Sequence, residues 1–295
     1  AITPAMEQIS IDEAFLDITG MERAPEELAR KLQAEIRDQL GLPCSIGIAS
    51  NKLVAKIATE VGKKSGPKGA PPFGVTVVPP GQEAAFLAPL PADMLWGVGP
   101  KTSARLQQLG MNTIGDIAKW PENEMVKLFG ENGRDLARHA RGQDRRLIMT
   151  EHETKSVSQE TTFAKDVRDD KTLEQTLQEQ ASEVARSLRK SNLAGMTVKL
   201  KIRWPDFTTL TRQTTLAQPT DQADEISRTA IELMRRVRRP GQPVRLIGVG
   251  VSGLGEPVRQ LNLWDTQSEK SRQLDEAIEQ LRQRFGDGVI RHGGT

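Results

Sequence analysis

The sequence predicts a multidomain α+β protein, and three observations predict it. An alternation of strand and helix patterns opens the chain. A helical stretch without strand patterning fills its middle. Residues 157–253 then run in the order β-α-β-β-α-β, the ferredoxin-like split unit. The 295 residues are enough for two or three domains. With 37% hydrophobic and 27% charged residues, the composition is that of a folded protein rather than a disordered one.

The elements follow from periodicity. Gln8–Ile18 alternates Ile9 and Ile11 with Ser10 and Asp12, as on a half-buried strand. Leu28, Leu32, Ile36 and Leu40 recur at helical spacing, with Pro25 near the start and Gly41 just past the end. Cys44–Ala49 is a short strand. Asn51–Val61 is a helix with Leu53, Val54, Ile57, Ala58 and Val61 on one face. A Gly-, Pro- and Lys-rich loop covers 62–74, and Val75–Val78 is a last strand. Pro79-Pro80 marks a boundary, after which 82–140 is helical and broken by glycines. Residues 141–156 are polar and poorly periodic, with 149–156 as the linker proper.

Past the linker, Val157–Phe163 is a strand and the Leu173–Leu188 stripe a helix. Met196, Val198, Leu200, Ile202 and Trp204 alternate as a strand. Pro205-Asp206 turns the chain into a strand over Thr209–Leu216. A helix through Ile226–Val237 and a strand through Ile247–Val251 complete the unit, and the 254–295 tail holds a helix over Ser268–Phe285.

Charge is informative once it is divided along the chain. The net charge is only +2, yet residues 141–255 alone carry twenty Lys/Arg against fifteen Asp/Glu. A basic surface on a near-neutral chain fits nucleic-acid binding, and equally a solvated basic face. One cysteine, Cys44, excludes an internal disulfide framework and a cysteine-rich zinc site. No apolar run is long enough for a membrane span, so no membrane partner is expected, and the cytoplasm is the expected compartment.

Four motifs carry candidate chemistry. In Ser10-Ile11-Asp12-Glu13-Ala14-Phe15, adjacent residues of a straight strand would point to opposite faces. Asp12 and Glu13 can therefore cooperate only if the chain turns there, where two carboxylates would suit Mg²⁺; two solvated acids at a turn are the plain alternative. Gly97-Val98-Gly99-Pro100-Lys101-Thr102-Ser103 has the form of a helix-hairpin-helix, with glycines for close backbone approach and free N–H groups for a phosphate. Thr197, Lys199, Lys201 and Arg203 share one face of their strand, which fits a polyanion or an ordinary solvated face. The Lys63–Gly69 loop is basic, and could grip a triphosphate or simply be flexible.

Together these stretches resemble the Y-family (DinB-type) translesion DNA polymerases. The likeness also includes Ser45–Lys52, running on to Ala55-Lys56-Ile57-Ala58, and Phe129-Gly130 with Gly133–Leu136, all in the family's order. The resemblance implies that 1–78 is the later part of a palm, 79–148 a thumb and 157–253 a little finger. It implies template-directed DNA synthesis across damaged bases with two Mg²⁺ ions, with primer–template DNA and dNTP as partners. Asp12 and Glu13 would be the catalytic and metal-binding acids, Lys63 the triphosphate contact, and Ser10 and Phe15 nucleotide contacts. Gly97, Gly99, Lys101, Thr102, Ser103, Lys199, Lys201 and Arg203 would meet DNA. Gln260, Leu261, Leu263 and Trp264 resemble a sliding-clamp peptide, or pin the tail to its own domain. No segment matches the family's third acid or its fingers, so the chain is expected to be a catalytically incomplete fragment that binds primer–template but extends it negligibly. The rivals are a non-catalytic DNA-binding accessory protein and an RNA-binding module. The latter is disfavoured because the face at 196–204 offers cations and no aromatic for base stacking.

Overall fold

The computed structural model describes residues 3–64, 73–151 and 153–257, together with four helical positions, Ala277, Leu281, Arg284 and Phe285. The chain divides into two units, Ala1–His152 and Glu153–Thr295.

In the first unit, β1 (Met6–Gln8) and β2 (Ala14–Leu16) form an antiparallel hairpin, with Glu7 opposite Phe15. Here the expectation of one strand over 8–18 is corrected. The backbone N–H groups of Ile9 and Ser10 both donate to the Glu13 carbonyl, at 2.9 and 3.2 Å, and close a loop over 9–13. Ile11, expected to be half-buried, is 98% exposed at its tip. The Ser10 hydroxyl offers the backbone a local alternative to the strand ladder, and that breaks the apparent alternation.

Helix α1 (Pro25–Leu40) starts on its proline and ends on Gly41 in the left-handed region, as the sequence predicts. Strand β3 (Ile46–Ile48) pairs in parallel with β4 (Val75–Val77), and α2 (Lys52–Lys64) connects them. A Cβ on Gly47 would lie 2.0 Å from the Ala55 carbonyl oxygen, so only glycine lets β3 sit this close to α2. Helix α2 runs three residues past its predicted end, which places Lys63 and Lys64 in its last turn rather than in a loop. The rest of the predicted basic loop, 65–72, lies outside the described residues.

Five helices follow: α3 (Glu83–Leu87), α4 (Pro100–Gln108), α5 (Ile114–Ala118), α6 (Glu122–Phe129) and α7 (Glu131–Ala140). Leu53, Val54, Ile57 and Ala58 of α2 join Leu87, Leu106, Ile114, Met125 and Ala137 in one buried cluster. Burial of the Leu, Val, Ile and Met side chains among them stabilises by roughly 1.5–3 kcal/mol each. Residues 144–149 are no loose linker: they dock on the start of α2, where the Asp144 carboxylate accepts from the Leu53 N–H at 3.1 Å.

The second unit follows the predicted chain order: β5 (Ser156–Val167), α8 (Asp170–Lys190), β6 (Ala194–Arg203), β7 (Thr209–Thr220), α9 (Ala223–Val237) and β8 (Val244–Gly255). Its sheet is ordered β5-β8-β6-β7, all neighbours antiparallel. Strand β8 thus lies between the strands joined by α8, and β6 between those joined by α9, so both crossovers are split. A ferredoxin-like sheet keeps its first and third strands inside, whereas here these are the edges. Leu173, Leu177, Val184 and Leu188 of α8 and Ile226, Ala230 and Leu233 of α9 pack with Val198, Leu200, Ile202, Ile247, Val249 and Val251 of the sheet.

Helix α5 opens on a reciprocal cap. The Thr113 hydroxyl accepts from the Asp116 N–H, and the Asp116 carboxylate accepts from the Thr113 N–H at 3.0 Å. Hydrogen bonding with Thr113, aided by Lys119, lowers the Asp116 carboxyl from 3.8 to about 2. Because the folded value is depressed, the cap's contribution is complete above pH 3.8 and is lost as pH falls toward about 2. A carboxyl NMR titration is expected to place the Asp116 midpoint near the lower value, and Thr113→Ala to return it toward the upper one.

Candidate functional site

The acidic residues sit on the hairpin loop. The Ser10 hydroxyl donates to Asp12 Oδ1 at 2.6 Å, and this bond chiefly lowers the exposed Asp12 carboxyl below its ordinary value. Glu13 is held differently. Lys56 Nζ donates to both of its carboxylate oxygens, at 2.8 and 2.7 Å. Lys63 Nζ lies 3.9 Å from Glu13 and 2.8 Å from Glu60, and the Glu60 bond is the main cause of its raised pKa.

Phe15, expected to line the same hairpin as Ser10, is on its second strand, β2, and only 9% exposed. Its ring packs on Trp96 with centroids 5.8 Å apart and has Lys52 Nζ 5.3 Å from its centre. Trp96 in turn carries Lys56 at 5.8 Å and Arg146 at 4.4 Å from its ring centre.

Lys52 makes the contact that sets the hairpin against α2. Its ammonium donates to Glu7 Oε2 at 2.5 Å and to the Leu147 carbonyl at 3.1 Å. The same Glu7 oxygen accepts the Met149 N–H at 2.8 Å. Both charged side chains are about nine-tenths buried. Sequence reasoning assigned no role to Lys52, Lys56 or Trp96. The spacing of Lys52, Lys56 and Lys63 along α2 was the available signal, since it places all three lysines on one stripe.

The predicted glycine turn is present. Gly97 has φ +99° and Gly99 is the N-cap of α4, with Pro100 opening the helix. Gly97, Gly99 and Lys101 are exposed, and Thr102 and Ser103 partly so. A Cβ at either glycine would meet nothing within 4 Å, so the turn is open to an approaching group.

In the second unit, Lys199, Lys201 and Arg203 lie on the sheet face away from α8 and α9, as predicted, but they are not equally available. Lys201 reaches across Gly248 of β8 to Glu160 of β5, at 2.7 Å, and Arg203 donates to Thr209 at 2.9 Å. Lys199 is exposed beside Gly250. The predicted clamp peptide Gln260–Trp264 lies outside the described residues.

Asp12 and Glu13 are hard oxygen donors on one tight loop, which fits part of the ligand set of a divalent cation. Among the described residues no group of three or more His, Cys, Asp or Glu gathers around a common point. Nor does any helix there have the length and apolarity to cross a membrane.

Comparison with known proteins shows the family. Three family models match: the impB/mucB/samB family over residues 1–60, the DNA polymerase-iota thumb domain over 93–144, and the impB/mucB/samB C-terminal domain over 154–263. The chain is 38% identical over 297 residues to DNA polymerase IV of Dehalococcoides mccartyi strain CBDB1, covering 99% of this chain and 74% of that one. It is 39% identical to DNA polymerase IV of Desulfatibacillum aliphaticivorans, covering 98% and 72%. The chain belongs to the DinB-type Y-family DNA polymerases. Its fold agrees with the family's solved structures. A Y-family polymerase chimera of Dbh and Dpo4 superposes with a TM-score of 0.71 at 27% identity, covering 86% of this chain and 72% of that one. An insertion ternary complex of Dbh DNA polymerase gives 0.57 at 26%, with the same coverage. Family members are DNA-directed DNA polymerases that act in translesion synthesis, and the family uses divalent metal.

In this Y-family chain the Lys52–Glu7 pair gives the sharpest test of the hairpin's seat. Lys52→Met leaves Glu7 charged and buried, and is expected to lower stability by about 3–5 kcal/mol. Adding Glu7→Gln, which keeps an acceptor for the Met149 N–H, is expected to recover most of the loss in urea unfolding.

Proposed function

We propose that this chain contributes to template-directed DNA synthesis past damaged bases, with Asp12 and Glu13 as its reaction-centre acids and Mg²⁺ as the cation they take. The observation that carries the reading is the Ser10–Glu13 loop set against the lysine stripe of α2. It puts acids for a cation and cations for a triphosphate side by side. Bound there, Mg²⁺ would activate the primer 3′-hydroxyl and offset charge on the leaving pyrophosphate. Ser10 holds Asp12 ionised and oriented. Lys63, at the helix end, would neutralise the β- and γ-phosphates.

Residues 1–78, 79–148 and 157–253 are taken as palm, thumb and little finger. The free N–H groups at the start of α4, with Lys101, Thr102 and Ser103, suit a DNA phosphate. Lys199, Lys201 and Arg203 suit further phosphates, since a translesion enzyme must tolerate any sequence. Gln260, Leu261, Leu263 and Trp264 are taken as the clamp-docking peptide on sequence grounds.

Two measurements test the reading. Neutralising Lys199, Lys201 and Arg203 together is expected to weaken primer–template binding similarly for unrelated sequences. The slope of log K against log salt should shrink by about 0.9 per lost phosphate contact; an unchanged slope removes this face from the interface. In a DinB-type polymerase that carries these residues, Asp12→Ala is expected to cut incorporation by roughly 10²–10³-fold or more, with DNA affinity retained. Normal incorporation by that variant overturns the assignment.

A further inference from the structure

We propose that Lys56 is a latch on Glu13: its ammonium holds both carboxylate oxygens in the resting chain, and a divalent cation engages the Asp12–Glu13 pair only as Lys56 lets go. The inference rests on the reading of Asp12 and Glu13 as cation ligands, and adds a residue that controls their availability.

The two adjacent acids are unequal. Asp12 is exposed on the loop, its Oδ1 held by a neutral hydroxyl. Glu13 has both oxygens turned toward one ammonium, with the second lysine, Lys63, at 3.9 Å. Lys56 and Glu13 are 21% and 31% exposed, so the pair is partly shielded from solvent. The ammonium offsets the repulsion between neighbouring carboxylates while no other cation is present. It also occupies the donor atoms that a dication needs, and the two positive ions repel at that distance.

Lys56 has another place to go. Its Nζ already lies 5.8 Å from the ring centre of Trp96, a ring it shares with Arg146 at 4.4 Å, so some cation–π attraction remains when the ammonium leaves Glu13. Lys52, one turn earlier on α2, cannot substitute for it, because Glu7 and the Leu147 carbonyl hold its ammonium. The hairpin register therefore stays fixed by Lys52 while Lys56 moves. Lys56 is on this account a positioning residue, with the acids alone meeting the cation.

The test is Mn²⁺ binding to the 295-residue protein, without DNA or nucleotide, followed by the electron paramagnetic resonance signal of free Mn²⁺. Lys56→Met is expected to bind Mn²⁺ roughly five- to tenfold more tightly than the unaltered chain. Lys56→Arg should keep the weaker affinity, and Glu13→Gln added to Lys56→Met should cancel the gain. Circular dichroism checks the fold, and Lys56→Gln carries the same comparison if Lys56→Met does not fold. Equal or weaker Mn²⁺ binding by folded Lys56→Met or Lys56→Gln overturns the latch alone. Absence of Mn²⁺ binding in every form, the unaltered chain included, overturns the acidic pair as ligands and the latch with it.

Discussion

The buried pair between Lys52 and Glu7 is the contact on which the candidate site depends. Two charges removed from water cost several kcal/mol each unless hydrogen bonds complete their shells. Here the Leu147 carbonyl and the Met149 N–H supply that completion, and the Phe15 ring lies under the ammonium. One interaction thereby joins the hairpin, helix α2 and the 144–149 segment. Glu7 is paired with Phe15 across the hairpin, so holding Glu7 holds the register of both strands. The loop at 9–13 then has one place to be.

Helix α2 does the complementary work. Its apolar side enters the core through Leu53, Val54, Ile57 and Ala58. Its other side presents three lysines with three different partners: Lys52 with Glu7, Lys56 with Glu13, and Lys63 with Glu60. Asp144 meets the helix N-terminus, where negative charge is favoured, and also clasps Arg146 at 2.8 Å. Arg146 stacks on Trp96, which also contacts Phe15. The acidic loop is thus backed by a connected set of aromatic and cationic side chains.

In the second unit the same economy of charge appears on the open sheet face. Glycine at 248 leaves room for Lys201 to cross a whole strand and reach Glu160. A Cβ at 248 would lie 2.7 Å from that of Glu160, so a larger residue there would disturb both the strand packing and the ion pair. The face is exposed, and the pair is correspondingly weak.

Much was legible from the sequence by itself. The two periodicities located α1, α2 and the elements β5 to β8 of the second unit, because one apolar face of each had to be buried, while most of the expected tail helix over Ser268–Phe285 lies outside the described residues. The glycines and proline at 97–100 marked the turn into α4, because only particular backbone angles suit them there. The order of motifs revealed the family. Tertiary structure decided the rest. It turned the Ile9–Asp12 alternation into an exposed loop, since a serine hydroxyl and two N–H groups closing on the Glu13 carbonyl outweighed a short hydrophobic pattern. It set the strand order of the sheet, which depends on pairings between residues dozens of positions apart. It also chose which lysine meets which acid. Spacing shows that Lys52, Lys56 and Lys63 share a stripe, but partners 45, 43 and 3 residues away are selected only when the hairpin is seated on the helix.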